Sequence, residues 1–330
     1  MDTREAVLVT GANGFVGSRL CASLLDQGYR VLAQVRHTSD LSLLQHLNVE
    51  YRYGDVTEPD TLPEMGRGVN RIVHNAGVIK AKRRETYFEV NEQGTRSLLE
   101  AIAAHNPQVR RIVHVSSVAA AGPSKPGRPV RESDEPRPIT TYGESKLAGE
   151  RVALSFSDRL PIVVVRPPGV YGPGDRGIYS MFKAVWLHLK PLIGDSERRL
   201  QLVHVDDLCD GICKALTASV KSGGVYCIAE KDAYTYRQLI DILVAASGRW
   251  TVPLPLPSPI FRAVAAISEY AFRAIGVTPL LTREKTRELN SSWEMDVTRA
   301  QGELGFVSKI AFAEGAKTTY EWYVSQGWLK

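Results

Sequence analysis

Thr10-Gly11-Ala12-Asn13-Gly14-Phe15-Val16-Gly17 is the stretch of sequence that decides the fold. The apolar run Ala6–Thr10 is typical of a buried parallel strand, and residues Phe15–Asp26 carry apolar side chains at helical spacing. The glycines therefore lie where a strand turns into a helix, and they allow a tight turn and close approach of a phosphate. The free N–H groups of a helix N-terminus attract such a phosphate. We predict a dinucleotide site with contacts from Gly11, Asn13, Gly14, Phe15, Val16 and Gly17.

The alternation of strands and helices extends from this loop to about residue 166. Such alternation predicts an α/β protein with a Rossmann-type, doubly wound parallel sheet. We expect residues 1–166 to form the dinucleotide-binding domain and residues 167–330 mostly a smaller, mixed α/β substrate domain. A late strand at 223–229 is expected to return to the main sheet. An apolar helix is expected at 260–275, either packed on its own domain or serving as a lid or monotopic patch over an apolar substrate.

The glycine spacing is Gly-x-x-Gly-x-x-Gly, not the usual Gly-x-Gly-x-x-Gly, so an ordinary strand–turn–helix is the alternative for the loop.

The end of the second strand bears on the choice between NAD and NADP. No acidic residue ends the strand Tyr29–Val35 to bind ribose hydroxyls; Arg36 follows instead. A guanidinium fits a 2′-phosphate by charge and geometry, so NADP is favoured over NAD. The alternative is a solvated Arg36.

Two further strand ends are expected at the cofactor. Asp55, in Gly54-Asp55-Val56, is placed to bond the adenine amine. The fourth strand ends in Asn75-Ala76-Gly77, whose small residues let the backbone pass close to the cofactor. His74 is expected to be packed and hydrogen-bonded rather than catalytic.

A tyrosine and a lysine in Tyr142-Gly143-Glu144-Ser145-Lys146 are four residues apart on a predicted helix, so they share a face. A phenol has a pKa near ~10, and a nearby ammonium lowers it, which makes the tyrosine a usable acid/base. A serine from Ser116-Ser117 is available to hold the substrate oxygen. Tyr179 and Lys183 repeat the spacing, but no strand that ends in serine precedes them suitably.

These motifs together resemble the extended short-chain dehydrogenases/reductases, in the NAD-dependent epimerase/dehydratase family. The resemblance rests on 10–17, 54–56, Asn91, 116–117, Tyr142 and Lys146, 166–175 and 203–208. It implies that Ser117 is the active-site hydroxyl, that Asn91 organises the site, and that Pro167, Pro168 and Val170 border the nicotinamide. It also implies a homodimer built on the helices of Asn91 and Tyr142.

The substrate half departs from nucleotide-sugar members of that family. Gly169 replaces an Asn, and Leu200 replaces an Arg that binds diphosphate, although Arg198 and Arg199 are available as substitutes. Val118 and Ala119 replace the acids of sugar dehydratases. The C-terminal half resembles the 3β-hydroxysteroid dehydrogenase-like and dihydroflavonol reductase-like branch. We therefore expect an NAD(P)-dependent oxidoreductase that acts on a largely apolar secondary alcohol or ketone. The alternatives are a nucleotide-sugar epimerase with tightly bound NAD, and a non-enzymatic NADP sensor.

Composition narrows the partners. The net charge is only +5, and no basic–aromatic interleaving indicates nucleic-acid binding. The four cysteines form no Cys-x-x-Cys motif, so no metal site or disulfide framework is expected. No apolar run approaches ~18 residues and no signal peptide precedes the first strand, so we expect no transmembrane span and a cytoplasmic protein with a small-molecule substrate. The basic run at 80–84 is expected to be a solvated loop or a wall of the substrate mouth.

Overall fold

A seven-stranded parallel sheet forms the centre of the protein. The computed structural model describes residues 4–259, 263 and 283–330. In these residues the sheet order is β11-β6-β5-β4-β1-β2-β3, with every neighbouring pair parallel. Its strands are β1 (Ala6–Thr10), β2 (Arg30–Val35), β3 (Glu50–Tyr53), β4 (Arg71–His74), β5 (Arg111–Val115), β6 (Ile162–Arg166) and β11 (Gly224–Cys227). The predicted α/β, Rossmann-type fold and the return of the late strand are both confirmed.

Helices cover both faces of the sheet. A 3₁₀ turn, Pro59–Thr61, precedes the second helix, and a π turn, Glu89–Gln93, joins the third to the fourth. The helices of the described residues are α1 (Phe15–Asp26), α2 (Leu62–Met65), α3 (Arg84–Phe88), α4 (Gly94–His105), α5 (Val118–Ala121), α6 (Thr141–Ser155), α7 (Tyr179–Trp186), α8 (Val205–Thr217), α9 (Tyr236–Ser247), α10 (Arg283–Leu289), α11 (Thr298–Leu304) and α12 (Phe312–Ser325).

The two cores follow from the alternation of side chains along each strand. Val7 and Val9 face the layer of α1 and α8, whose Leu20 and Ile212 lie in the same buried cluster. Leu8, between them, faces the opposite layer with α4 and α6. Because both faces are covered, the inner strands β1 and β6 are almost entirely apolar, whereas the edge strand β3 is polar and partly exposed. Helix α8 thus packs on the main sheet although it comes after residue 166.

A third core lies in the C-terminal half. It gathers large aromatic side chains, among them Tyr171, Phe182, Phe312 and Tyr323, all essentially inaccessible to solvent. Three two-stranded ribbons surround it: β7 (Gly169–Tyr171) with β10 (Leu202–His204), β8 (Leu189–Ile193) with β13 (Val252–Leu256), and β9 (Arg199–Leu200) with β12 (Tyr234–Thr235). The division at residue 166 stays a prediction.

Several expectations are not settled by this structure. The helix predicted at 260–275 lies outside the described residues, apart from Ala263. Of the helices described, none has the length and apolar character needed to span a bilayer. The homodimer and the cytoplasmic location stay predictions.

Candidate active site

The glycine loop is shaped by contacts that leave no room for side chains. Gly11 has φ +64°, and a Cβ there would lie 2.9 Å from the Cα of Ala76. A Cβ on Gly17 would lie 2.2 Å from the carbonyl oxygen of Gly11. Gly14 precedes α1 and offers no side-chain cap, so no side chain occupies the N–H groups at the start of the helix. The backbone therefore fits the expected pyrophosphate site.

Two buried polar side chains hold this loop against its neighbours. The Thr10 hydroxyl accepts hydrogen bonds from the N–H groups of Asn75 (3.1 Å) and Ala76 (3.0 Å). Gln34 Oε1 accepts one from Gly11 N–H at 3.0 Å, and its Nε2 donates to the Gly54 carbonyl at 2.5 Å. Sequence reasoning missed Gln34. Gln34 could have been found in the sequence, because it is a polar residue next to the apolar run of β2.

His74 is buried and hydrogen-bonded, as expected. The Thr10 hydroxyl already accepts two N–H groups, so its own proton goes to His74 Nδ1 at 2.9 Å. His74 Nε2–H then donates to Thr95 Oγ1 at 2.9 Å, and that hydroxyl donates to the carbonyl of Asn91. Burial lowers the pKa of His74 to about 3, so the ring is neutral. It links the glycine loop to the helix of Asn91.

The predicted adenine end carries both a cation and an anion. Arg36 is exposed, and its Nη1 lies 3.6 Å from Asp55 Oδ2. Asp55 Oδ1 accepts from the backbone N–H and hydroxyl of Thr57 at 2.9 and 2.8 Å. His37 and Tyr53 stack beside them with ring centroids 4.4 Å apart. The Val56 side chain is buried and packs where Gly94 lacks one, so Val56 offers only backbone to a ligand.

The two adjacent serines have different partners. Ser116 is buried, and its hydroxyl donates to Glu150 at 2.8 Å. Ser117 caps α5 by accepting the N–H of Ala119 at 3.1 Å, and its hydroxyl lies close enough to Tyr142 to lower the pKa of that phenol. Ser117 is therefore the hydroxyl that meets the tyrosine, which supports the assignment that the resemblance implies.

Tyr142 and Lys146 lie on α6, but the contacts of their side chains differ from the simple pairing argued from sequence. Lys146 Nζ donates to the carbonyl of Val115 at 2.7 Å, and burial lowers its pKa to about 8. Burial raises the pKa of Tyr142 to about 12, and its interaction with Ser117 offsets this only in part. Burial therefore raises the pKa of Tyr142 by more than the Lys146 ammonium could lower it.

Asn91 occupies the π turn between α3 and α4. Its Oδ1 accepts from Val78 N–H at 2.8 Å, and its Nδ2 donates to the Val78 carbonyl at 3.0 Å and to Ser145 Oγ at 2.9 Å. Gly149 of α6 sits against it, since a Cβ there would lie 2.0 Å from the Asn91 carbonyl oxygen. Asn91 therefore fixes the loop after β4 and the helix of Tyr142 relative to each other.

A buried ion pair lies beneath these groups. Glu150, on α6, accepts from Arg166 Nε at 2.9 Å as well as from Ser116, and a second Arg166 nitrogen bonds its other oxygen. The two charged side chains are 2% and 3% exposed. Arg166 ends β6, immediately before Pro167, which is also buried. Sequence reasoning missed this pair because nothing local indicates that residues 16 positions apart meet.

The C-terminal half reaches the catalytic helix through α10. Glu284 accepts from the N–H and hydroxyl of Thr141 at 3.2 and 2.8 Å. Arg84, at the start of α3, donates to Glu144 at 2.6 Å. These contacts flank Tyr142, so α3, α6 and α10 meet at this edge of the cleft. The rest of the basic run lies in the exposed loop after β4.

Arg198 and Arg199, which precede Leu200 in the sequence, already bind other groups of the chain. Arg198 is buried, donates to the carbonyls of Ile193 and Asp195, and lies over the ring of Tyr236 at 3.9 Å. Arg199 donates to Glu294 at 2.7 Å. Both guanidinium groups therefore already have partners within the chain, and that of Arg198 is buried.

Metal binding has no support in the part of the chain that the structure describes, where no group of three or more His, Cys, Asp or Glu side chains is close enough to hold an ion. All four cysteines are buried thiols without a disulfide. The second Tyr-x-x-x-Lys match serves packing, since the Tyr179 hydroxyl donates to the carbonyl of Trp328 at 2.6 Å.

Fold and site together define a Rossmann-type enzyme of the nicotinamide-dependent class. Residues 7–229 match the model of the NAD dependent epimerase/dehydratase family. The chain belongs to this family and is an oxidoreductase of it.

Relatives with different substrates share this architecture. A ceramide reductase of Caulobacter vibrioides is 29% identical over 99% of this chain and 97% of its own length. A 3 beta-hydroxysteroid dehydrogenase/Delta 5-->4-isomerase of Mycobacterium tuberculosis is 28% identical, covering 97% of this chain and 90% of its own. The solved dTDP-glucose 4,6-dehydratase DesIV of Streptomyces venezuelae, with NAD bound, is 25% identical with a TM-score of 0.79, covering 98% of this chain and all of its own. The resemblance to the steroid-dehydrogenase branch is thereby confirmed.

Proposed function

We propose that this protein transfers a hydride between a nicotinamide and a largely apolar secondary alcohol or its ketone. The observation that carries the reaction is that the Ser117 hydroxyl lies close enough to the Tyr142 phenol to act on its pKa, with Lys146 one helical turn away on α6. The substrate class is supported by the commitment of Arg198 and Arg199 to contacts within the chain. Relatives named for ceramide and steroid chemistry agree with an apolar substrate.

The chain supplies the proton side of the reaction. A bound nicotinamide would supply or accept the hydride, and the cradle of Gly11, Gly14 and Gly17 fits its pyrophosphate. Ser117 would hold the substrate oxygen through its hydroxyl. Because the pKa of Tyr142 is raised to about 12, its phenol keeps its proton at neutral pH and is suited to donate it to a ketone oxygen. Lys146 places a cation beneath the same cleft, and Asn91 keeps the helix of Tyr142 in place.

Dehydration is a poorer fit to this site. Val118 and Ala119 follow Ser117 at the start of α5, and neither side chain can move a proton. Elimination of water needs an acid and a base at the reacting carbons. We therefore assign the site to simple oxidation and reduction.

Substrate class is tested by thermal unfolding with NAD⁺, NADP⁺, NADPH, UDP-glucose and a hydroxysteroid, each added singly. Ligands that bind the native state raise the midpoint by mass action, by about 2.7 kcal/mol of stability at a hundredfold excess over Kd. We expect shifts with a nicotinamide cofactor and with the steroid, and none with UDP-glucose. A large shift with UDP-glucose alone would instead favour the nucleotide-sugar epimerase with tightly bound NAD.

We also propose NADP as the preferred cofactor, with Arg36 as the group that meets the 2′-phosphate. Replacing Arg36 by Ala should weaken NADPH binding by about tenfold or more, since charge-assisted hydrogen bonds contribute about 1.5–3 kcal/mol. NADH binding should change little, because NADH has no 2′-phosphate. Titration calorimetry with both cofactors makes the comparison.

Asp55 gives the matched control for this experiment. Its carboxylate lies 3.6 Å from the Arg36 guanidinium and is expected to bond the adenine amine, which NADPH and NADH share. Asp55→Asn should therefore weaken NADPH and NADH to a similar extent, whereas Arg36→Ala should weaken NADPH selectively. Equal, small losses for NADPH and NADH in Arg36→Ala would exclude contact between Arg36 and a 2′-phosphate.

A further inference from the structure

Five large apolar side chains are exposed together on the ribbon of β8 and β13. Leu187, Trp250 and Val252 are 56%, 69% and 55% exposed, and Leu189 and Leu254 are 39% and 40% exposed. Single exposed apolar residues are ordinary, but a contiguous group indicates an interaction surface. We call these five residues the ribbon patch.

The patch is continuous because of the strand register. Leu189 lies opposite Val252 across the ribbon, and Leu254 is two residues further along the same face. Trp250 joins them through the ring of His188, which stacks on it at 4.1 Å. His188 Nδ1–H donates to the Trp250 carbonyl, because its Nε2 accepts from Arg249. The indole thus stacks on His188, the residue between Leu187 and Leu189 in the chain.

The outer edge of β13 has no N–H groups to offer to another strand. Val252 N–H donates to the His188 carbonyl, so the N–H groups at 252, 254 and 256 point toward β8. The N–H groups of 253 and 255 would face outward, and both residues are proline. An edge without donors blocks strand addition. A partner of the ribbon patch is therefore not expected to add a strand to β13 and would bind through the exposed side chains instead.

The charges around the patch are complementary to an anionic surface. Lys183 is exposed one helical turn before Leu187, and Arg249 adjoins Trp250. Neither forms an ion pair with a carboxylate in the described part of the chain, whereas the nearby Lys190 is neutralised by Asp241. Arg249 lies over the ring of Trp186 at 4.1 Å. Tryptophan beside cations and aliphatic side chains suits the headgroup boundary of a bilayer.

We propose that the ribbon patch docks the protein on the surface of an anionic lipid bilayer. Trp250, Leu187 and Val252 would enter the headgroup boundary, while Lys183 and Arg249 meet lipid phosphates. This inference goes beyond the proposed reaction and does not depend on it, since binding to lipid is measured without substrate or cofactor. It would place the substrate half of the protein next to the phase that holds apolar molecules.

The test is co-sedimentation of the full chain with vesicles of equimolar phosphatidylcholine and phosphatidylglycerol, and with vesicles of phosphatidylcholine alone. We expect binding to the mixed vesicles that weakens with salt, and much weaker binding to the neutral ones. The double variant Leu187→Ser/Trp250→Ser should lose binding by roughly tenfold or more, because the inserted apolar area supplies the affinity.

Exposed apolar residues elsewhere provide the control. Leu43 and Val307 are 42% and 56% exposed and lie outside the ribbon patch, so Leu43→Ser/Val307→Ser should bind vesicles like the parent. Equal unfolding midpoints would establish that both double variants are folded. Failure of the parent to bind mixed vesicles, or unchanged binding by the ribbon-patch variant, would overturn the proposal. A dimer in solution that the ribbon-patch variant abolishes would overturn it too, in favour of a second copy as the occupant.

Discussion

Replacing Tyr142 by Phe is expected to lower turnover by about 10²- to 10⁴-fold, the range that a positioned general acid contributes. The variant removes only the phenol hydroxyl that interacts with Ser117 and leaves the ring in place. Cofactor affinity should stay near normal, because the glycine loop does not contact the phenol in our assignment. Steady-state rates with an apolar ketone, together with cofactor titration, measure the two effects separately.

The matched control is Tyr179→Phe. Tyr179 has the same spacing to a lysine, but its hydroxyl bonds the carbonyl of Trp328 within the third core. This variant should keep full activity and lose about 1 kcal/mol of unfolding free energy, typical of one hydrogen bond. Full activity in Tyr142→Phe would remove the tyrosine from the reaction and with it the proposed mechanism.

Replacing Glu150 by Gln is expected to destabilise the protein by about 3–5 kcal/mol, because it leaves the buried Arg166 cation without its counter-charge. Arg166 and Glu150 are 3% and 2% exposed, so water cannot solvate the remaining charge. Chemical denaturation of the parent and the variant gives the difference. The loss should be accompanied by weaker catalysis, because Ser116 bonds Glu150 and is next to Ser117.

An exposed ion pair serves as the control for the effect of burial on the unfolding free energy. Glu64 and Arg67 form an i,i+3 pair with side chains 64% and 75% exposed. Glu64→Gln should change the unfolding free energy by about 0.5 kcal/mol or less, because water and salt screen such pairs. If Glu150→Gln were equally mild, the buried pair would not be what holds the end of β6 against α6.

The sequence was a good guide where the relevant interactions are local. The boundaries of β1 and α1 agree with expectation, because apolar spacing and glycine conformations act within a few residues. The small residues after β4 are also where expected, and Gly77 brings Asn91 and Lys146 close together. The assignment of Ser117 came from resemblance, since two adjacent serines are equivalent in any local pattern.

The sequence could not predict contacts between distant residues. Gln34, on β2, accepts a hydrogen bond from Gly11, which follows β1. Glu150, on α6, accepts one from Ser116 rather than from Ser117. The expected lowering of the Tyr142 pKa failed to account for burial, which depends on everything packed around the phenol. Likewise, Arg198 looked available until its buried carbonyl partners were known.

Taken by itself, the sequence determined the parallel α/β sheet, the glycine cradle, the Tyr142–Lys146 face and the family. The first three follow from periodicity and spacing, which the chain carries locally, and the family follows from the resemblance of these motifs to known proteins. Only the tertiary structure decided that Ser116 bonds Glu150, which arginines are already paired and which apolar side chains stay exposed. These depend on packing and desolvation between residues far apart in the chain, and no local pattern encodes them.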